Sequence, residues 1–321
     1  MKEMVKVNKT MAIEHFSDSV IDSFIASRNA SENTAKTYRN SLRQLIKFFA
    51  ANKITKPAES DINAFVSTLK AQKKSAATLR LYVTVCKSFF SFMARKAVYP
   101  NIAADVVLKL RKSTTHAKKS LTAEQAKSLL QAVKGDDAQA VRNRAIIALA
   151  LVCGLRTCEI SRADVADLRS DGCGGYFLDV QGKGRIQKDA VVRVPAPVAK
   201  LLDEYLNLRG TLEDDAPLFV STSHNVGWQK NRYGERLSEQ SIGKMIKRVM
   251  KSVGIDDKKI AAHSCRHFAA TTAIRAGVDV REVQAMLRHW SLNVTAVYLH
   301  DMSIETRRAE MSVAESLFGA A

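Results

Sequence analysis

Residues 261–277 read AAHSCRHFAATTAIRAG. His263, Arg266 and His267 fall within five positions, at the start of a segment whose remainder, Phe268, Ala269, Ala273 and Ile274, has the spacing of a core-facing helix. Titratable groups at the mouth of an apolar helix either cap it or face a charged ligand. The i, i+4 histidine pair has the spacing of zinc proteases. Yet position 264 is Ser rather than the Glu that would act as base, and no third ligand is near in the sequence, so no metal site is expected.

Downstream, EVQAMLRHWSLNVTAVYLHD (282–301) places His289 23 residues after Arg266, and Tyr298 nine after His289. Upstream, LVCGLRTCEI (151–160) ends an apolar helix, expected over 141–153, at Gly154 and presents Arg156 just beyond it. Between the two lies GYFLDVQGKGRIQKDAVVRVPAP (175–197). Tyr176, Leu178 and Val180 alternate, then Val192 and Val194, so the segment reads as a β-hairpin with Lys183 in its turn and Pro195 and Pro197 ending the second strand. Thr122 with Gln125 forms a capping box that opens this half of the chain.

The first hundred residues read as helices. In NTAKTYRNSLRQLIKFFAAN (33–52), Tyr38, Leu42, Leu45 and Phe49 share one face, and Lys36, Arg39, Arg43 and Lys47 a second. SAATLRLYVTVCKSFFSFMARK (75–96) repeats the design, with Leu81, Val85, Phe89 and Phe92 toward the core and Arg80, Lys87, Arg95 and Lys96 outside. Pro57 with Ser60 and Asp61 marks a turn and N-cap before a shorter helix. The expected organisation is a helical domain over 11–110, a polar basic linker over 111–120 (RKSTTHAKKS) and a mixed α+β domain over 121–321, with a short amphipathic helix over 303–318.

Net charge narrows the partner. The chain of 321 residues carries a formal charge of +18, and residues 1–119 hold 22 Lys and Arg against 8 Asp and Glu, the rest 28 against 24. So one-sided an excess points to a polyanion, a nucleic acid rather than a membrane surface, with Lys36, Arg39, Arg43 and Arg80 on the outer helix faces as the expected contacts. The longest apolar run, AIIALALVCGL (145–155), is too short to span a bilayer. Five scattered cysteines with no CxxC fit free thiols in a reducing compartment, and no signal peptide is visible, so a cytoplasmic location is expected.

Taken in order, Arg156, Lys183, His263, Arg266, His289 and Tyr298 resemble the active site of the tyrosine recombinases, the phage-integrase family. The shared motifs are G-L-R-x-x-E (Gly154, Leu155, Arg156, Glu159), G-K-G (Gly182, Lys183, Gly184), H-x-x-R-H (His263, Arg266, His267) and a last histidine followed nine residues later by tyrosine. Each is weak alone; six residues in order are strong, and the resemblance covers essentially the whole chain. It implies a mainly helical fold with a small β-hairpin, in which a helical DNA-binding domain and a catalytic domain clamp a duplex bearing inverted half-sites. It also implies a tetramer on two duplexes, with the 303–318 helix docked in trans on a neighbouring subunit, and leaves room for a second recombinase or a directionality factor. No separate arm-binding domain is evident before residue 10, which favours resolvase-type or transposon-type enzymes over the large phage integrases.

The implied reaction is attack of the Tyr298 hydroxyl on a phosphodiester, giving a 3′-phosphotyrosine and a free 5′ hydroxyl without metal or ATP. Arg156 and Arg266 would clamp the non-bridging oxygens, His263 take the tyrosine proton, His289 donate to the phosphate and Lys183 protonate the leaving oxygen. Two departures stand out. The hairpin holds a second lysine, Lys188, as an alternative acid. Where the family has L-G-H, this chain has Leu287, Arg288 and His289, from which we expect a turn with no demand for positive φ and an arginine that reaches a phosphate. A non-catalytic DNA-binding regulator and a type IB topoisomerase-like relaxing enzyme are the rival readings.

Overall fold

The computed structural model describes residues 16–108, 119–182, 184–222, 233–296 and 298. Lys183, most of the expected linker and the 303–318 segment therefore lie outside the described residues. The chain separates into two compact units, residues 1–112 and 113–321.

The first unit contains α1 (Asp18–Ala26), α2 (Glu32–Ala51), α3 (Glu59–Ala71) and α4 (Ala76–Arg95). The face read from the sequence of α2 is the face that packs: Leu42, Leu45 and Phe49 are buried. Aromatic edges fill the core, with Phe24 against Phe89 at 5.4 Å and Phe48 against Phe65 at 5.4 Å between ring centroids. The Ser75 hydroxyl caps α4 by accepting from the Thr78 amide at 3.1 Å.

Two readings in this unit are corrected. Leu81 is exposed, because α4 turns Leu79, Val83 and Cys86 inward beside Val85 and Phe89. The third helix starts at Glu59, so Ala58 is the cap position, and Asp61 accepts from the Ala58 amide at 2.8 Å rather than capping from outside. Arg39 and Arg43 lie on the outer face of α2 as read, and each has a partner: Arg39 pairs with Asp22 at 2.6 Å and Arg43 with Asp18 at 3.2 Å, which ties α2 to α1.

The second unit contains α5 (Ala123–Gln131), α6 (Ala138–Val152), α7 (Thr157–Arg162), β1 (Leu168–Ser170), β2 (Tyr176–Val180), β3 (Ala190–Val194), α8 (Ala196–Arg209), α9 (Glu239–Ser252), α10 (Ala262–Arg275), α11 (Val280–Leu287) and α12 (Leu292–Ala296). The Thr122–Gln125 capping box opens α5 as read. α6 is buried almost all round, since α5, α8, α9 and α10 pack on it. The hairpin β2–β3 pairs Tyr176 with Val194 and Val180 with Ala190. β1 adds a third antiparallel strand on the free edge of β2, giving the order β1-β2-β3. Three residues are too few to display alternation, so β1 was not legible. No helix among the described residues is long and apolar enough to cross a membrane.

Candidate active site

Arg156, Arg266, His289 and Tyr298 converge where the ends of α6, α10 and α11 meet, and His263 is near enough for its charge to act on His289. Gly154 closes α6 with φ +60°, and a Cβ there would stand 2.9 Å from the Leu287 side chain, so both backbone and space require glycine. The turn frees its carbonyl and starts α7 with Arg156 at the cap position. Arg266, on the first turn and a half of α10, is 1% exposed. Its Nη1 donates to the Gly154 carbonyl at 2.6 Å and its Nη2 to the Leu287 carbonyl, so the two helix ends grip the guanidinium.

Glu159 organises the rest. It is fully buried on α7 and is the shared counter-ion of three arginines. Arg156 reaches it at 2.7 Å, Arg288 at 2.7 Å and Arg266 at 3.8 Å, and the Arg156 amide donates to its Oε2 at 2.8 Å. Burial opposes its charge, but Arg288 in particular, with the Arg156 amide and Arg266, holds the carboxyl below its ordinary range. Burial and the neighbouring charges of Arg156 and Arg288 push the Arg266 guanidinium down to about 9, so it stays protonated at neutral pH.

Arg288 overturns the expectation for its turn. It sits at φ 54°, ψ 46°, in the left-handed region, where it ends α11. The position does demand positive φ, which glycine adopts freely and arginine at a cost. Nor does Arg288 extend away from the protein: it donates to Glu159 and, at 2.5 Å, to the Met286 carbonyl.

His289 follows, with Nδ1 2.9 Å from the Thr295 hydroxyl of α12. Burial first, then the charges of Arg266, Arg156 and Arg288, push its pKa down to about 3. Its imidazole is therefore neutral at physiological pH. Tyr298 is 2% exposed, packed with Ala270, Ile274, Val283 and Leu287. Its ring stacks on His289 at 6.1 Å and meets the buried His267 edge-on at 4.8 Å.

Of the remaining two residues, His263 lies exposed on the first turn of α10, and Lys183 is outside the described residues. Lys188 is engaged elsewhere, its Nζ 2.6 Å from Asp164 and 2.7 Å from Asp167. Burial works against its charge, but those two carboxylates hold its pKa above the ordinary value.

A cleft of about 520 Å³ opens over this cluster. It is lined by Arg156, by Arg288, His289 and Trp290 after α11, and by Gly182, Arg185 and Asp189 of the β2–β3 connection. Two participants escaped the sequence reading. Glu159 was visible only as a motif letter, and His267 carried no role. Their one signal was a polar side chain at a position whose neighbours, Cys158 and Ile160 or Ala269 and Ala270, are core residues.

Comparison with known proteins gives this geometry its context. The model of the phage integrase family matches residues 119–303, and that of the phage integrase N-terminal SAM-like domain matches residues 21–97. Tyrosine recombinase XerD of Halalkalibacterium halodurans is 29% identical over 282 residues, 85% of this chain and 88% of that protein. Tyrosine recombinase XerA of Pyrococcus furiosus is 28% identical, covering 84% of this chain and 83% of that protein. Among solved structures, the XerH site-specific recombinase bound to palindromic difH substrate shares the fold with a TM-score of 0.68 at 23% identity, covering 90% of this chain and 81% of that one. The Tn1549 transposon integrase in complex with a circular intermediate DNA gives 0.67 at 18% identity, covering 92% and 98%. The chain belongs to the phage integrase family of tyrosine recombinases, enzymes of site-specific DNA recombination.

Proposed function

We propose that the cleft holds one phosphate of a DNA strand and that Tyr298 attacks it. The observation that carries this reading is the convergence of Arg156, Arg266 and Arg288 on the single carboxylate of Glu159, which leaves two positive charges in excess beneath the cleft. A partly buried site with that excess attracts a multiply bonded anion, and a phosphodiester passing through a trigonal bipyramid gains charge there. Arg156 and Arg266 stabilise the non-bridging oxygens with fixed, planar donors. Neutral His289 has one N–H. Nδ1 is taken up by the Thr295 hydroxyl, which leaves Nε2 as the nitrogen that serves the phosphate; in the tautomer protonated on Nε2 it is a donor.

The tyrosine oxygen forms a bond to phosphorus as the 5′ oxygen leaves. His263 takes the phenolic proton and Lys183 supplies one to the leaving oxygen. The double engagement of Lys188 with Asp164 and Asp167 supports Lys183 over Lys188 in that role. Rejoining reverses the steps with a new 5′ hydroxyl, so the bond energy is kept in the phosphotyrosine.

The partner is double-stranded DNA with inverted half-sites, bound in the cytoplasm by a tetramer in which the 303–318 segment docks in trans. A second recombinase or a directionality factor can complete the assembly. The DNA-bound state of the XerH and Tn1549 relatives supports DNA as the partner. Deleting residues 303–321 is expected to abolish coordinated exchange and spare DNA binding; full recombination by the truncated chain would contradict docking in trans.

A genome-wide map of covalent adducts tests the reading. Host cells are lysed in denaturing detergent without crosslinker, and tagged protein is recovered with attached DNA, alongside a Tyr298→Phe variant. Adducts at a discrete site in the wild type alone are expected. Adducts scattered over the genome, with relaxation of supercoiled plasmid, would favour the topoisomerase-like reading. Sequence-specific binding with no adduct would favour the regulator.

A further inference from the structure

Trp290 adjoins the catalytic cleft and is 87% exposed. Indole is the side chain with the most apolar surface to hide, and what singles Trp290 out is its place: it lines the same cleft as Arg156, Arg185 and Arg288. Its position is set rather than free. The left-handed Arg288 turns the chain at the end of α11, the His289 amide donates back to the Gln284 carbonyl at 3.1 Å, and Gln284 Nε2 returns a bond to the His289 carbonyl at 3.0 Å. Trp290 and Ser291 are the two residues between this clasp and α12. Arg185 also lines the cleft, and the residue after it, Ile186, is 93% exposed. The cleft thus brings guanidiniums together with a bare indole at its own lining and an exposed isoleucine next in sequence to Arg185.

That pairing selects among polyanions. An inorganic phosphate or an acidic peptide would use the arginines and leave the indole wet. A nucleic-acid strand brings phosphates and, within a few ångströms of each, a deoxyribose and an aromatic base. We propose that Trp290 is a DNA-contact residue: with a phosphate seated over Arg156 and Arg288, its ring packs on the sugar and base beside that phosphate and holds the strand in the cleft. The inference rests on the reading of the cleft as a DNA-phosphate site. It adds a sequence-tolerant apolar contact, of the kind single strands make with aromatic platforms, to the charged ones.

The chain holds two tryptophans, Trp228 and Trp290, so a full-length Trp228→Phe protein reports on Trp290 alone. The probe is a dye-labelled, mixed-sequence duplex of about 30 base pairs at low salt, because phosphate contacts bring the cleft onto DNA of any sequence. Dye anisotropy follows binding; indole emission and its quenching by acrylamide follow Trp290. At saturating DNA, acrylamide access is expected to fall at least threefold. Trp290→Ala should bind about tenfold more weakly, and Trp290→Phe within about threefold of the parent. Circular dichroism melts establish that each variant is folded; at this exposed site the melting temperature should not move.

Saturation by anisotropy with unchanged acrylamide access, or Trp290→Ala binding within twofold, overturns the inference and leaves the phosphate reading standing. Shielding that appears on concentrating the protein without DNA overturns it in favour of contact with a second copy of this chain. No rise in anisotropy at any concentration overturns the phosphate reading and this inference together.

Discussion

Two sets of arginines in this molecule do opposite things with the same charge. Arg39 and Arg43 lie on the surface of the helical unit, each beside an aspartate of the preceding helix and each with a third or more of its side chain in water. Arg156, Arg266 and Arg288 share one buried carboxylate, and Arg266 and Arg288 add carbonyl oxygens at helix ends. Surface pairs contribute little to stability and something to the field. The inner set is costly to desolvate and is held by a shared carboxylate and helix-end carbonyls, which makes it geometry rather than field. The contrast predicts where substitution is felt.

The largest effect should follow Glu159→Gln. Removing the shared counter-ion leaves three guanidiniums crowding one another and should cost about 3–5 kcal/mol in urea unfolding of the full chain. A loss below 1 kcal/mol would mean that water or an anion already balances them. Arg266→Lys should be milder in stability yet severe in chemistry. The three N–H bonds of an ammonium radiate from one nitrogen and cannot span the two carbonyls and the phosphate that a planar guanidinium bridges, so adduct formation should slow about 10²–10³-fold, the effect of removing one preorganised donor of about 2.7–4 kcal/mol. DNA affinity should change only a few-fold.

His289 gives the next effect, readable in pH. Its pKa of about 3 in the folded chain lies below the ordinary value of 6.5. Between those two values the unfolded chain binds a proton that the folded chain does not, so stability falls as pH drops below about 6.5. Acidification from pH 7 to 5 should cost about 1–2 kcal/mol through this group alone, and His289→Gln should remove that part of the slope. The smallest effect should come from Arg39→Gln with Arg43→Gln. Two phosphate contacts would lower the slope of log affinity on log salt by about 2, and these paired arginines should lower it by less. A full change of 2 would mean that both desert their aspartates on DNA.

What the sequence showed, and what it hid, divides along the same line. The order of Arg156, His263, Arg266, His289 and Tyr298, the buried face of α2 and the β2–β3 hairpin were legible because each is a local spacing. The partners of Arg39 and Arg43 were not, since Asp22 and Asp18 lie 17 and 25 residues upstream and meet them only when α1 folds onto α2. Arg288 misled for a related reason. Its left-handed backbone ends α11 where Leu287 packs on Gly154, and its side chain is held by Glu159, 129 residues away. The burial of Tyr298 depends on α10 and α11 together and leaves no periodic trace of its own.

The measurement that bears most directly on the account is the identity of the residue joined to DNA. Adducts trapped in cells can be digested with nuclease and trypsin and sequenced by mass spectrometry. Cleavage after Arg288 and Arg307 yields a peptide of residues 289–307 in which Tyr298 is the sole tyrosine. The account predicts a nucleotide linked through its 3′ phosphate to Tyr298 in that peptide. A nucleotide on any other residue, or recombination proceeding with Tyr298→Phe, would contradict it.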